Sequence, residues 1–239
     1  MDNENTLAIV RYSRSLSFPE IPEPAIAAAK VIFLDTLGAM FAAWPTRHMA
    51  TRILGDYVQE LGGAPQCTIL GRSFKAPAPN AALVNGLMGY AADIEGGGIS
   101  RQHAAAVIVP SALVMAEWLG ASGPEMLTSM VVAYDVVDRV GEANATIESY
   151  PHSFHPSAVF GTFGAAAVAG RLLGLDEDQF INAYGLAGNI AGGLMAWVND
   201  PTEHSRSYGI GVAARNGVTA AIIASRGFGG PRSIFDDSK

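Results

Sequence analysis

The stretch SFHPSAVFGTFGAAAVAGRLLG, residues 153–174, places a histidine-proline step directly before a helix made almost entirely of small residues. Small side chains allow helix backbones to approach closely, so the segment predicts a tightly packed helix inside a helical domain. The helix is predicted to start at Ser157, directly after Pro156. The imidazole of His155 would then lie beside free N–H groups that favour an anion; the alternative is a histidine that only caps the helix.

The overall composition agrees with close helix packing. Apolar residues make up 49% of the 239-residue chain and charged residues only 15%. A chain of this length and composition can fill a sizeable core, and its low charge predicts that part of the surface is buried between subunits.

Charge and cysteine content exclude several classes of partner and site. The net charge is -7 and there is no run of Lys or Arg, which argues against nucleic acid and anionic membranes as partners. Cys67 is the only cysteine, so an intrachain disulfide, a Cys-rich zinc site and a protein-held iron–sulfur cluster are excluded. The acidic N-terminal segment lacks the apolar core of a signal peptide, and we expect a cytoplasmic protein.

Helical patterns recur along the whole chain and predict seven or eight helices without βαβ alternation. An amphipathic helix entered through Pro24 is indicated by apolar residues at Ile26, Phe33, Leu37 and Met40, with Lys30 and Asp35 on its other face. The uncharged run at residues 179–199 is predicted to be a buried helix and not a membrane span. The fold class is therefore all-α, with residues 1–239 as a single helical domain.

Local signals mark several helix ends. Ser122 with Glu125, and Asp176 with Gln179, are each spaced as a capping box. Gly174 and Gly227 can each end a helix in the left-handed conformation.

Three further segments leave their boundaries open. Asn80 is a plausible N-cap of the next helix, and Asp93 then lies at its junction with a Gly-rich loop. Pro110 either kinks the following helix or marks its first turn. Residues 67–70 form either a short strand or an extended loop.

Histidines are the side chains best suited to move protons near neutral pH, and the chain has five: His48, His103, His152, His155 and His204. His103 follows Asp93 by ten residues across the Gly-rich loop, so a carboxylate and an imidazole could converge; the alternative is a solvated loop histidine. His152 and His155 lack a clearly spaced third ligand, and we expect no metal site.

The polar segment NDPTEHSRSYGIG, residues 199–211, separates two very apolar stretches and is a second candidate for a site. It contains Glu203, His204, Arg206 and Tyr208, although polar loops also serve only for solvation. Other cations that could bind a carboxylate are Arg101, Arg215, Arg226 and Arg232.

Four stretches, in order, resemble the MmgE/PrpD family, which includes 2-methylcitrate dehydratase, cis-aconitate decarboxylase and iminodisuccinate epimerase. They are VIFLDTLGAMFAA, CTILGRSFKAPAPNAALVNGLMGYAADIE, SFHPSAVFGTFGAAAVAGRLLGLDEDQFINAYGLAG and GVAARNGVTAAIIASRGFGGP. The third is the most specific, and together they cover nearly the whole chain.

The resemblance implies a helical domain that dimerises, a smaller α+β lid domain, and a metal-free site that needs no cofactor. It places the catalytic residues at Asp93, His103 and His155. Arg206, His204, Tyr90 and Tyr208 would bind a small carboxylate substrate. The implied chemistry abstracts a proton next to a carboxylate, followed by loss of water or carbon dioxide or by return of the proton on the other face.

Several features depart from the family pattern. Arg206 stands where a lysine is usual, and an arginine binds carboxylates but is a poor acid or base. Tyr90 stands where a histidine is common. The sequence also ends at Lys239, before the lid domain.

Three functions follow as hypotheses. The first is a lyase or isomerase that acts on a small polycarboxylate. The second is a repurposed biosynthetic isomerase or cyclase that takes a larger substrate. The third is a non-catalytic half that pairs with a separate lid-domain chain.

Overall fold

The computed structural model describes residues 3–94, 102–144 and 154–236, and within these ranges helices are the dominant secondary structure. It confirms the all-α prediction, and the described ranges contain nine α-helices, compared with the seven or eight predicted for the chain. The helices are α1 Glu4–Ser15, α2 Glu23–Ala42, α3 Met49–Leu61, α4 Ala78–Ala91, α5 Ala105–Leu119, α6 Gly123–Asn144, α7 Pro156–Leu172, α8 Glu177–Ile190 and α9 His204–Ala224. A two-stranded antiparallel hairpin pairs β1, Cys67–Thr68, with β2, Lys75–Ala76.

The helix predicted from the opening stretch, α7, lies at the centre of the domain. It packs against α5, α6, α8 and α9, and nearly all of its residues are buried. Gly217 of α9 faces Thr162 and Ala165 so closely that a Cβ on the glycine would overlap the carbonyl oxygen of Thr162. The small residues of α7 therefore allow two helix backbones to touch, as the sequence predicts.

The second helix confirms its predicted amphipathic pattern. Of its four marked apolar residues, Met40 is buried and the other three are half-buried and pack against the core, whereas both marked polar residues are exposed. The exposed surface of α2 is also partly apolar, since Val31 and Leu34 are 67% and 71% exposed, and the helix packs against α4, α5 and α6. In the described part of the chain, α2 alone is long and apolar enough, by length and composition, to cross a membrane.

Both predicted capping boxes are present. The backbone N–H of Ser122 donates to the Glu125 carboxylate at 2.7 Å, and the backbone N–H of Gln179 donates to Asp176 at 2.8 Å. These helix starts were predictable because a capping box is a local hydrogen-bond pattern. Gly174, the second residue after the end of α7, has the expected positive φ of 67°.

Three boundary predictions were resolved or corrected. The N-cap at Asn80 is wrong, because α4 starts at Ala78 after Pro77, whose fixed φ suits a helix entrance. Pro110 lies inside α5, so it does not mark a first turn. The run at residues 179–199 is not one helix, since α8 ends at Ile190 and Gly193 follows with a φ of 119°.

The two ends of the described chain meet at the start of α1. The carboxylate of Asp236 accepts hydrogen bonds from the backbone N–H groups of Asn5 and Thr6 and from the Thr6 hydroxyl. These bonds lower the pKa of Asp236, against a desolvation effect that raises it. Asp236 therefore satisfies first-turn donors that a local cap would otherwise bind.

Candidate active site

Four helix ends meet at one end of the bundle. The last turn of α4 brings Tyr90, and Asp93 follows it. Three N-termini face them: α5 begins just after His103, α7 begins just after His155, and α9 begins at His204. Since helix N-termini carry partial positive charge, their convergence favours a negatively charged ligand.

The segment before α7 holds His155 by backbone hydrogen bonds. Its N–H donates to the carbonyl of Gly193 at 2.7 Å, and Phe154 forms an isolated antiparallel bridge with Leu194. This pairing places the following 3₁₀ turn, Met195–Asn199, next to the helix entrance. The ring of Trp197 in that turn lies 5.3 Å from the ring of His155.

Tyr90 joins the two predicted catalytic histidines. Its ring centroid is 4.8 Å from that of His103 and 6.2 Å from that of His155. The backbone N–H of His103 donates to the hydroxyl of Ser157 at 3.0 Å, which ties the entrance of α5 to the first turn of α7. The structure thus brings His103 and His155 to one cluster.

His155 is held in its neutral form. It is 4% exposed, and burial is the main cause that lowers its pKa to about 4, assisted by the positive charge of Arg206 and by His103. Near pH 7 the ring is unprotonated, so it can accept a proton from a ligand.

The guanidinium of Arg206 lies close to two aromatic rings and to two carboxylates. Its carbon is 4.7 Å from the Tyr90 centroid and 4.5 Å from the Trp197 centroid, distances typical of cation–π contacts. Its Nη1 is 3.2 Å from Asp93 Oδ2 and 3.6 Å from Glu203 Oε2. Burial works to lower the pKa of Arg206, but Tyr90, Asp93 and Glu203 raise it above its usual value.

Both carboxylates have an unusual backbone conformation. Asp93 and Glu203, with φ of 50° and 55°, are the two non-glycine residues with positive φ among those described. This conformation costs about 1–2 kcal/mol for a residue with a Cβ and tends to occur at functional sites. The strain at both partners of Arg206 supports a functional role for this ion-pair cluster.

The loop before α9 is organised by Asp200. Its two carboxylate oxygens accept hydrogen bonds from the backbone and hydroxyl groups of Thr202 and Ser205. These bonds lower the pKa of Asp200 well below its usual range. Asp200 therefore fixes the turn from which Glu203, His204 and Arg206 project.

The remaining predicted residues lie around the cluster or outside the described chain. His204 pairs with His48, whose ring is 6.3 Å away and whose pKa is lowered by burial and by His204. Tyr208 is 45% exposed and makes no hydrogen bond or ring contact with the cluster in the described ranges. Arg232 pairs with Asp178, Arg215 contacts Asn216, and Arg226 is exposed. His152 and Arg101 lie outside the described residues.

Sequence reasoning missed Trp197 and did not assign a role to Glu203. The only signal for Trp197 was a large aromatic residue next to a polar loop. No group of three His, Cys, Asp or Glu side chains that could hold a metal ion occurs in the described ranges.

Comparisons with known proteins identify relatives of nearly the whole chain. The profile of the MmgE/PrpD N-terminal domain matches residues 7–239. The cis-aconitate decarboxylase-like protein oryM of Aspergillus oryzae is 28% identical over 98% of this chain and 49% of its own length. The cis-aconitate decarboxylase of Homo sapiens is 29% identical over 92% of this chain and 46% of its own length. The cis-aconitate decarboxylase of Aspergillus terreus is 24% identical over 98% of this chain and 48% of its own length. The chain thus spans about half the length of these relatives.

Proposed function

Because this chain belongs to the MmgE/PrpD family, we propose that it provides the helical part of a lyase of the decarboxylase or dehydratase type. Its substrate is a small polycarboxylate, and the reaction moves a proton at a carbon next to a carboxylate or carbonyl. One observation carries the proposal: a buried, neutral His155 lies beside His103 and Arg206 where three helix N-termini meet. The names of the relatives point to the same class of reaction.

The electrostatics of the cluster support an anionic substrate. Three helix N-termini supply positive potential, and Arg206 keeps an Nε donor that its ion pairs with Asp93 and Glu203 do not use. The low exposure of Tyr90 and His155 keeps solvent away from these groups. Negative charge that develops on a substrate next to these groups is stabilised by them.

Proton transfer is assigned to the two histidines. Since a bound carboxylate favours the protonated imidazole, substrate binding raises the pKa of His155 from about 4 toward neutrality. His155 can then remove a proton as water is expelled, or return one to the carbon from which carbon dioxide has left, with His103 as the second acid or base. Asp93 holds Arg206 in place. This chemistry needs no metal or organic cofactor.

We further propose a homodimer formed through exposed apolar stripes on α2 and α3. Val31, Leu34 and Phe41 follow helical spacing along α2, and Met49, Ile53, Tyr57 and Leu61 do so along α3, all more than half exposed. Apolar surface of this extent marks an interaction site, and a second copy presents the same stripes. A charge in the α2 stripe, Leu34→Glu, should shift the protein toward the monomer in size-exclusion chromatography with light scattering.

The decisive experiment follows cis-aconitate, the compound in the relatives' names, in D2O by proton NMR. The protein should release carbon dioxide or add water, with deuterium appearing on carbon. His155→Asn should reduce the rate by about 10²–10⁴-fold, the range for loss of a general acid or base.

His48→Asn is the matched control, because it removes a half-buried imidazole outside the cluster of Tyr90, His103, His155 and Arg206. It should retain most of the activity. Equal rates for wild type and His155→Asn would contradict the proposal. Turnover of a larger carbonyl substrate, with none of cis-aconitate, would instead favour the repurposed isomerase.

A further inference from the structure

Two buried N–H donors near His155 have no acceptor in the described part of the chain. They are the Nε of Arg206 and the indole Nε1 of Trp197. The ion pairs of Arg206 with Asp93 and Glu203 use Nη1, so neither carboxylate accepts a hydrogen bond from Nε. Because indole and guanidinium nitrogens only donate hydrogen bonds, the missing partner of both groups must be an acceptor.

Leaving both donors unpaired is unfavourable. Buried polar groups in native proteins are nearly always hydrogen-bonded, because a buried donor without an acceptor has lost its hydrogen bonds to water. One orphaned donor is compatible with a local packing defect, but here the two side chains are in contact. The carbon of the Arg206 guanidinium lies 4.5 Å from the centroid of the Trp197 ring. One small ligand can therefore reach both donors.

The position of Trp197 places its donor near the residue assigned to proton transfer. The ring centroid of Trp197 is 5.3 Å from that of His155. The 3₁₀ turn that carries Trp197 is fixed at its end, where the backbone N–H of Asp200 donates to the Trp197 carbonyl at 2.8 Å. A ligand bound by the indole N–H would therefore lie beside the imidazole of His155.

We propose that Trp197 is a substrate-binding residue, whose indole N–H acts together with the Nε–H of Arg206 to hold a carboxylate of the substrate beside His155. This inference rests on the proposed function and adds a residue to it. A carboxylate fits the two donors because its oxygens only accept hydrogen bonds. Hydrogen bonds to an ionised acceptor are also about twice as strong as those between neutral groups.

The surface turn around Trp197 provides the way to these buried donors. Ala196, Val198 and Asn199 in this turn are exposed, whereas Tyr90 and His155 are buried. A small outward movement of the turn therefore uncovers the two N–H groups and leaves the packed core unchanged.

The first test observes the indole N–H directly, by ¹⁵N NMR of the wild-type protein during titration with tricarballylate, a small tricarboxylate. The chain has three tryptophans, and Trp44→Phe and Trp118→Phe assign two of the indole signals, so the third belongs to Trp197. The proton signal of the Trp197 indole should move downfield as its N–H donates to a carboxylate. The signals of Trp44 and Trp118 should stay in place. This measurement does not depend on the folding of a Trp197 variant.

The second test measures the affinity for tricarballylate by isothermal titration calorimetry. Trp197→Phe keeps an aromatic ring next to Arg206 but removes the N–H. The Kd should rise by about ten- to a hundredfold, the range for one hydrogen bond to a charged group. Trp118→Phe is the matched control, because Trp118 lies at the far end of α5 from His103, and it should bind like wild type. Circular dichroism checks that each variant is folded.

Three results would overturn the role of Trp197: an indole signal that stays in place while tricarballylate binds, wild-type affinity in Trp197→Phe, or no binding to the wild-type protein. Turnover of cis-aconitate is followed separately. If the indole signal shifts and Trp197→Phe binds weakly but no acid is turned over, only the proposed function fails. If the wild-type protein turns over cis-aconitate but Trp197→Phe binds like wild type, only the role of Trp197 fails.

Discussion

Helices α7 and α9 differ along their length. Their central parts pack closely through small residues, whereas their N-terminal ends hold buried polar and charged groups. Along the central parts, Gly217 packs onto Thr162 with no room for a methyl group. At the first turns, the Nε of Arg206 is buried without a hydrogen-bond partner among the described residues, and burial lowers the pKa of His155 to about 4. The close packing of the central parts of α7 and α9 stabilises the domain, and this stability offsets the cost of the strained, charged groups at the first turns.

The largest expected effect is a loss of stability when the close packing of α9 against α7 is disrupted. Gly217→Ala should destabilise the protein by about 2–4 kcal/mol, because the new methyl group overlaps the Thr162 carbonyl and the backbones must separate. Gly209→Ala, on the same helix with open space around it, should change stability by no more than about 1 kcal/mol. Urea unfolding compares the two, and equal effects would show that α7 and α9 do not touch as described.

The packed helices could be predicted from the sequence, whereas the contacts within the candidate site could not. The tight helix α7 and the capping boxes at Ser122 and Asp176 were predictable because small residues and caps act locally. The pairing of Asp93 with Arg206 joins residues 113 positions apart, and only the tertiary structure shows it. The position of Trp197 next to His155 and Arg206 depends on the bridge of Phe154 with Leu194, for which the sequence has no local signal.

The next prediction concerns stability in acid. The unfolded chain protonates His155 near pH 6.5, whereas the folded protein does so only near 4, because burial lowers the pKa of His155. Stability is therefore greatest above pH 6.5 and falls by about 2–3 kcal/mol between pH 7 and pH 4.5 through this residue alone. His155→Asn should lack this share of the loss in urea unfolding, and an identical pH dependence in both proteins would contradict the neutral His155.

The smallest expected effect is a shift in the pKa of His155 when a charge near it is removed. Arg206→Gln removes a positive charge beside His155, so the pKa of His155 should rise part of the way toward its usual value, since burial remains the larger cause. Glu203→Gln should act in the opposite direction, because the charge of Arg206 is then less offset. Histidine ¹⁵N NMR over pH 3–8 measures both shifts, and shifts of the same sign would contradict the described contacts.

The central claim is that His155 is an unprotonated imidazole poised to take a proton. It is tested most directly by the titration of its ring in the wild-type protein, with ¹⁵N-labelled histidine and His155→Asn to assign the signal. The structure predicts a pKa of about 4 for His155. A pKa at or above 6.5 would contradict it, because the ring would then be exposed or paired with an anion and not buried beside Arg206.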